Sequence, residues 1–373
     1  MIGNGRGHSI DQRWHICMEF DLADVKKLLI YRMGSLGDTV VALPVFHMLA
    51  RQFADAERRV MTNLPVNTDA AAIQVILGDG GFVDGYFAYP HATRDIGALN
   101  RLRKSIRDWA PDLAVYLNEP RGNFTQFRDV LFLKLCGIPK ILGVPATADL
   151  QNHRPRGEYG LWENEASRLA RCVEDLGEVD LVSPASWSLN FTSAEEEQAK
   201  AALADWDGRN GFIAFSLGAK IEFKSWGDDR WTELLKRVSA NHPDLGLALL
   251  GGPNDGERSL VAAMDWTGPK IDLCGKLSPR ESALVMRDAD IFMGHDSGPM
   301  HLAASVGTPA VCVFSKHAKP GIWFPYGSQH RVLYPGLEWS GGNPVSMREA
   351  PGETNITLIP VDEVEAAFNS LLK

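Results

Sequence analysis

At 373 residues the chain is too long for one ordinary domain and suits two. Its composition, 45% apolar and 23% charged, is that of a globular protein folded in water. A net charge of −9 argues against a general nucleic-acid binder and lends no help to anionic lipid, although it does not exclude a local basic patch.

Short apolar runs alternate with helical patterns along nearly the whole chain. Residues 27–32 read as a buried strand, followed by Gly34-Ser35-Leu36-Gly37-Asp38 and a helix through residue 50. A second strand begins at Val60. Residues 113–117 form another, then a loop over 118–123, a helix over 125–135 and a short strand over 141–144. A polar stretch over 149–159 precedes a helix over 163–176. The mixed segment 177–193 marks a domain boundary, after which Ser193 and Glu196 suggest a capping box.

The second half repeats this logic. Strands are expected at 211–217, 246–250, from 291, and at 309–314; helices at 228–241, 257–264 and 278–287, the last with a Ser278–Glu281 capping box. An amphipathic helix covers 361–372. Alternation of this kind predicts parallel sheets covered by helices, an α/β architecture of two similar halves. Ligands of such sheets sit beyond the carboxyl ends of the strands, in the cleft between domains.

The most informative segment is His295-Asp296-Ser297-Gly298-Pro299-Met300-His301. A strand ends at an acid, turns on Ser-Gly-Pro and opens a helix. The free amides and positive dipole end of that helix suit an anion, and the acid suits sugar hydroxyls. The segment therefore reads as a site for a phosphate joined to a sugar. Asp38, at the end of the first loop, can take a proton from a hydroxyl or serve as a helix N-cap; position alone leaves both open. Lys224, in the loop over 218–226, can neutralise a diphosphate or merely face water. Glu257, beyond the Gly251-Gly252-Pro253 turn, suits a ribose or solvent.

Several chemistries lack their motif. Gly-x-Gly-x-x-Gly, the P-loop and the Gly-x-Ser-x-Gly elbow are all absent. Asp205-Trp206-Asp207 and Asp288-Ala289-Asp290 have the Asp-x-Asp spacing of metal-dependent sugar transferases, but both precede strands, at the wrong end of a sheet. His295 and His301 have no third zinc ligand nearby. Cys17, Cys136, Cys172, Cys274 and Cys312 are odd in number, scattered and free of CxxC, which fits a reducing compartment. No run approaches the roughly 18 apolar residues of a membrane span, and the first 27 residues lack a signal-peptide core. The expectation is a cytoplasmic protein with at most peripheral contact at the inner face of a membrane. Residues up to about 25 form an extension ahead of the first strand.

Five segments together resemble glycosyltransferase family 9, the heptosyltransferase-like enzymes. They are Leu28 to Val40 with Pro44; Gly218-Ala219 with Lys224-Ser225-Trp226 and Trp231; Leu249 to Pro253; Cys274 to Ser278, continuing through Ala289-Asp290 to the segment ending at Ala303; and Trp323 to Gly327. The pattern departs at Ser216-Leu217 and at Ser315. The resemblance implies a GT-B fold: an acceptor-side Rossmann-like domain over 27–185, a nucleotide-sugar-binding one over 186–360, and a C-terminal helix over 361–373.

It also implies inverting, metal-independent transfer from a nucleotide-diphosphate sugar, a co-substrate, with no cofactor. The acceptor would be a glycan or glycolipid such as lipopolysaccharide core, the sugar a heptose or a relative of one. Asp38 then matches the family's base and Lys224 its phosphate-binding lysine. Gly218, Ala219, Glu257, Leu277, Asp296, Ser297, Gly298 and His301 fall on the donor side, Gly37 and Arg121 on the acceptor side. Two alternatives stand beside this reading: a nucleotide-sugar epimerase of the same fold, and a non-catalytic nucleotide-sugar binder. The pairing of Asp38 with Lys224 speaks against the second, since a binder needs no base.

Overall fold

The computed structural model describes residues 21–64, 71–90, 95–157, 159–204, 206, 211–218, 224–340, 343–347 and 356–372. Cys17, Asp205, Asp207, Ala219, most of the N-terminal extension and part of the loop before Lys224 lie outside them.

In the first half the elements run β1 (Lys27–Tyr31), α1 (Leu36–Val41), α2 (Leu43–Gln52), β2 (Glu57–Asn63), α3 (Ile73–Leu77), β3 (Gly85–Tyr89), α4 (Ile96–Trp109), β4 (Leu113–Tyr116), α5 (Asn123–Leu135) and β5 (Lys140–Leu142). Next come α6 (Ala148–Gln151), a hairpin of β6 (Pro155–Arg156) and β7 (Leu161–Trp162), α7 (Glu165–Cys172) and α8 (Ser193–Ala202). The second half runs β8 (Phe212–Ser216), α9 (Asp228–Asn241), β9 (Gly246–Leu249), α10 (Gly256–Ala262), β10 (Lys270–Asp272), α11 (Pro279–Arg287), β11 (Ile291–His295), α12 (Gly298–Ser305), β12 (Ala310–Val313) and β13 (Arg331–Leu333). A hairpin of β14 (Leu337–Ser340) and β15 (Asn343–Met347) and the helix α13 (Val361–Asn369) follow.

Two parallel sheets result, ordered β3-β2-β1-β4-β5 and β10-β9-β8-β11-β12-β13. Their central strands are continuously apolar because helices cover both faces: Leu28, Leu29 and Ile30 of β1 and Phe212 to Phe215 of β8 are buried. In each sheet the order reverses once, between β1 and β4 and between β8 and β11. A crevice opens at the carboxyl end of the strands at such a reversal. The two crevices hold the segments 33–38 with 117–122, and 217–218 and 224–226 with 296–301.

Four sequence expectations need correction. The helix expected through residue 50 is two helices, because Pro44 at the second position of α2 cannot donate within a continuous helix. The capping box before α8 sits one residue earlier: Thr192 Oγ1 accepts from Glu195 N, and Glu195 Oε2 accepts from Thr192 N at 2.8 Å. The helix expected over 163–176 ends at Cys172, with a single 3-10 turn, Glu174–Leu176, beyond it. The second strand starts at Glu57 rather than Val60. Its charged start is tolerated because the Arg59 guanidinium stacks 4.9 Å from the Trp109 ring, while Trp109 Nε1 donates to Glu57 Oε2 at 2.9 Å.

The halves are clamped at Arg280 of α11, which is buried. Its guanidinium donates to the carbonyls of Ile76 (2.9 Å) and Leu189 (2.8 Å) and pairs with Glu195. One side chain thus ties α3 of the first half to α8 and α11. Helix α13 packs on α9, β12 and β13, with Val364 and Phe368 in the core of the second sheet.

Candidate active site

The first crevice is built around Asp38. Asn63 and Asn118 pin the chain leaving β1, their Oδ1 atoms accepting from Gly34 N (3.0 Å) and Met33 N (2.6 Å). Gly34 then turns at φ +139°, where an added Cβ would lie 2.5 Å from Asp38 Cβ, so only glycine lets Asp38 fold back. Asp38 Oδ2 accepts from Ser35 N at 2.7 Å and from Ser35 Oγ at 3.1 Å. The carboxylate is therefore the third-position partner of a capping box whose N-cap is Ser35, not the N-cap itself.

Arg32 is buried beneath it and donates to the carbonyls of Asp38 and Leu117. Burial alone would raise the Asp38 carboxyl. The Arg32 charge and the hydrogen bonds from Glu119 and Ser35 outweigh it and hold Asp38 below the usual carboxylate range. Glu119, hydrogen-bonded to Asp38, moves the other way. Burial first, then the Asp38 hydrogen bond and charge, push it up to about 8. The pair therefore favours sharing one proton, held toward Glu119. A second layer supports this loop: the buried Arg168–Glu165 pair (2.6 Å) sends an Arg168 N–H to the carbonyl of Asn118 at 3.1 Å.

The second crevice centres on Lys224 and Asp296, whose Nζ and Oδ2 are 2.8 Å apart. Buried His295 fixes the Lys224 segment. Its Nε2 accepts from Trp226 N (2.9 Å) and from Trp231 Nε1 (3.0 Å), and burial pushes its pKa down to about 4. Two donors converging on Nε2 place the ring proton on Nδ1. That role removes His295 from the candidate ligands. Ser297 precedes α12 without capping its first turn; its Oγ donates to the carbonyl of His295 at 3.4 Å instead. The first amides of α12 are thus left to an incoming anion.

The crevices meet where α1 packs on α12. An added Cβ on Gly37 would lie 2.9 Å from His301 Cδ2, and one on Gly298 would lie 2.8 Å from a Leu36 methyl. Neutral His301 fills this junction: burial brings its pKa to about 4, while Asp296, Asp38 and Lys224 all act on it electrostatically. Its ring stands 6.2 Å from that of Trp323, edge to face. Asp38, Asp296 and Lys224 thus all lie near enough to act on the His301 ring, at the place where α1 packs on α12.

The other expected residues occupy less committed positions. Gly218, at the end of β8, is half-buried and approaches Asp255, whose Oδ2 accepts from Gly252 N at 2.8 Å. Leu277, half-buried, packs on the core just before α11. Glu257 is exposed on the first turn of α10, and Arg121 is exposed in the loop after β4. Ala219 lies outside the described residues. Of the Asp-x-Asp pairs, Asp290 spends its Oδ2 on Phe212 N at 2.9 Å, at the amino end of the second sheet. Among the described residues no three His, Cys, Asp or Glu side chains cluster in a way that could hold a metal ion.

Sequence reasoning missed Arg32, Asn118, Glu119 and the anchoring role of His295. Arg32 carried a signal: an arginine closing the apolar run Leu28-Leu29-Ile30-Tyr31 at a sheet's central strand. Glu119 carried only its place in a loop after a buried strand.

The family model "Glycosyltransferase family 9 (heptosyltransferase)" matches residues 163–340. A relative named lipopolysaccharide heptosyltransferase 3, from Escherichia coli (strain K12), is 22% identical over 361 residues, 90% of this chain and 95% of its own length. Among solved structures, a glycosyl transferase of family 9 from Veillonella parvula superposes with a TM-score of 0.70 at 18% identity, covering 95% of this chain and 98% of that one. The E. coli ADP-heptose lps heptosyltransferase II superposes with a TM-score of 0.62 at 18% identity, covering 93% and 98%. The family match over residues 163–340, the similarity to heptosyltransferase 3 over nearly all of both chains and the paired Rossmann-like sheets make this chain similar to the heptosyltransferase-like glycosyltransferases of family 9, whose GT-B fold it shares.

Proposed function

We propose that the chain transfers a heptose from ADP-heptose to a hydroxyl of the lipopolysaccharide core, with inversion and with no metal ion. The observation that supports this reading is the packing of α1, which carries Asp38, against His301 of α12, with the Lys224–Asp296 pair also acting on that ring. The names of the E. coli relatives supply the sugar, the nucleotide and the acceptor class.

In the proposed reaction the acceptor oxygen forms a bond to the anomeric carbon as the bond to the diphosphate breaks. Asp38, ionised and partly stripped of water, takes the proton of that hydroxyl. The departing diphosphate gains negative charge, met by Lys224 and the first amides of α12. Lys224 pairs with Asp296 before the donor binds, so the lysine is held in place rather than searching rotamers. Asp296 is then free to accept from sugar hydroxyls. Attack from the side opposite the leaving group inverts the anomeric centre.

The test is an assay with ADP-heptose and a heptose-deficient core glycolipid in the presence of a chelator. Heptosylated product of inverted configuration is expected, and no change in the donor when acceptor is left out. Conversion of the donor alone would assign an epimerase instead. A melting-temperature screen with ADP, GDP and UDP checks the base, since a bound nucleotide stabilises by mass action.

A further inference from the structure

The solvent face of α5 is apolar where a surface helix is ordinarily polar. Phe124 and Phe127 are 81% and 66% exposed, and Leu131 and Leu135 continue the line at spacings of three, four and four residues. At 3.6 residues per turn these four form one stripe, opposite the buried Asp129 and Leu133. Arg128 and Lys134 flank the stripe on either side, and Arg121 stands just before the helix; all three are exposed. An exposed apolar line of this length on one helix marks an interaction site.

The charge around it is opposite to that of the protein. Residues 96–140 carry eight Lys and Arg against four Asp and Glu, whereas the whole chain carries 38 against 47. Both α4 and α5 cover the same face of the first sheet, through Leu102, Ile106 and Leu133. The exposed lysines and arginines of α4 therefore lie on the same side of the molecule as the stripe, beside the Arg128 and Lys134 that flank it.

We propose that the α5 face docks this protein on an anionic phospholipid bilayer, with Phe124, Phe127, Leu131 and Leu135 entering the headgroup boundary and the flanking arginines and lysines on lipid phosphates. Apolar side chains with a basic border match that surface in both polarity and charge. A second copy of the chain matches it poorly, since pairing two such faces would bring the Arg128 and Lys134 borders together. The placement is also apt. The segment Glu119-Pro120-Arg121 leads from the Asp38 crevice directly into α5, so the docked face borders the mouth of that crevice. Docking is independent of the transfer reaction and is measured without donor or acceptor.

The experiment is co-sedimentation with vesicles of phosphatidylcholine mixed with phosphatidylglycerol, beside vesicles of phosphatidylcholine alone. The wild-type chain should bind the mixed vesicles, bind the neutral ones weakly, and lose the difference at high salt. The double variant Phe124→Ser/Phe127→Ser should partition about tenfold less, with its melting temperature unchanged because neither ring is part of the core. Absence of binding to mixed vesicles, or equal binding by the double variant, overturns the proposal. So does a wild-type dimer that the same double variant converts to a monomer with vesicle binding intact, which assigns the stripe to self-association. Should the double variant fold poorly, the contrast between the two vesicle types and its loss in salt decide the matter with the wild-type chain alone.

Discussion

Asp38 performs two tasks with one carboxylate. It closes the capping box of α1 through Ser35, and it faces the junction where α1 meets α12. Capping fixes the carboxylate's direction, which a proton acceptor needs. Glu119 shares its hydrogen bond, and the one proton of the pair is held toward Glu119. Because the Glu119 pKa rises from 4.5 to about 8 on folding, the folded state binds the extra proton between those values. Stability from this group therefore falls as pH rises through that window. Glu119→Gln should flatten the decline of melting temperature between pH 5 and 8, and an unchanged slope would show that Glu119 does not hold the proton. Lys224→Met should lower kcat by about 10²-fold or more and weaken ADP binding, leaving Asp296 without its cation. Steady-state kinetics and calorimetry check both, and wild-type ADP affinity in the variant would take Lys224 out of the donor site. Asp38 and Lys224 stood out in the sequence as candidates because each sits beside a Gly- or Trp-marked loop after an apolar run. Glu119 and Arg32 act through partners far along the chain, and no local pattern announces such pairs.

At the scale of elements, periodicity exposed the buried strands and the long amphipathic helices. Residues 228–241 were read as a helix and are α9. It failed where tertiary contacts set the structure. The charged start of β2 is stabilised by Trp109 from α4, and β3, β10 and β13 are too short or too mixed to show a period. The Arg280 clamp is a further element-level feature that local sequence could not show, since its partners come from α3, the segment before α8, and α8 itself. Arg280→Met should cost about 3 kcal/mol or more, because Glu195 and several carbonyls lose a buried cation. The Arg280 hydrogen bond, set against a smaller burial effect, holds Glu195 down at about 2. The clamp therefore contributes fully above the ordinary carboxylate value of 4.5 and fades as pH falls toward 2. Urea unfolding at pH 7 and pH 3 checks this. The variant and wild-type midpoints should differ at pH 7 and differ less at pH 3, whereas equal midpoints at pH 7 would mean that apolar packing alone joins the halves.

For the whole molecule, two parallel sheets, each with one reversal of strand order, put two crevices face to face. That duplication was legible as repeated alternation of strand and helix patterns, and the GT-B architecture followed from it together with the family motifs. How the crevices join was not legible. The contact of Gly37 with His301 and of Gly298 with Leu36 pairs residues more than 260 positions apart in the chain. Among the described residues no helix is long and apolar enough to cross a membrane. The central claim is that Asp38 accepts the acceptor proton while the opposite crevice holds the donor. Asp38→Asn tests it most directly, because the amide keeps a hydrogen-bond acceptor for Ser35 but cannot take the proton. The account predicts a fall in kcat of about 10³-fold, with ADP-heptose affinity within about twofold of wild type. Turnover within about tenfold of wild type would contradict it.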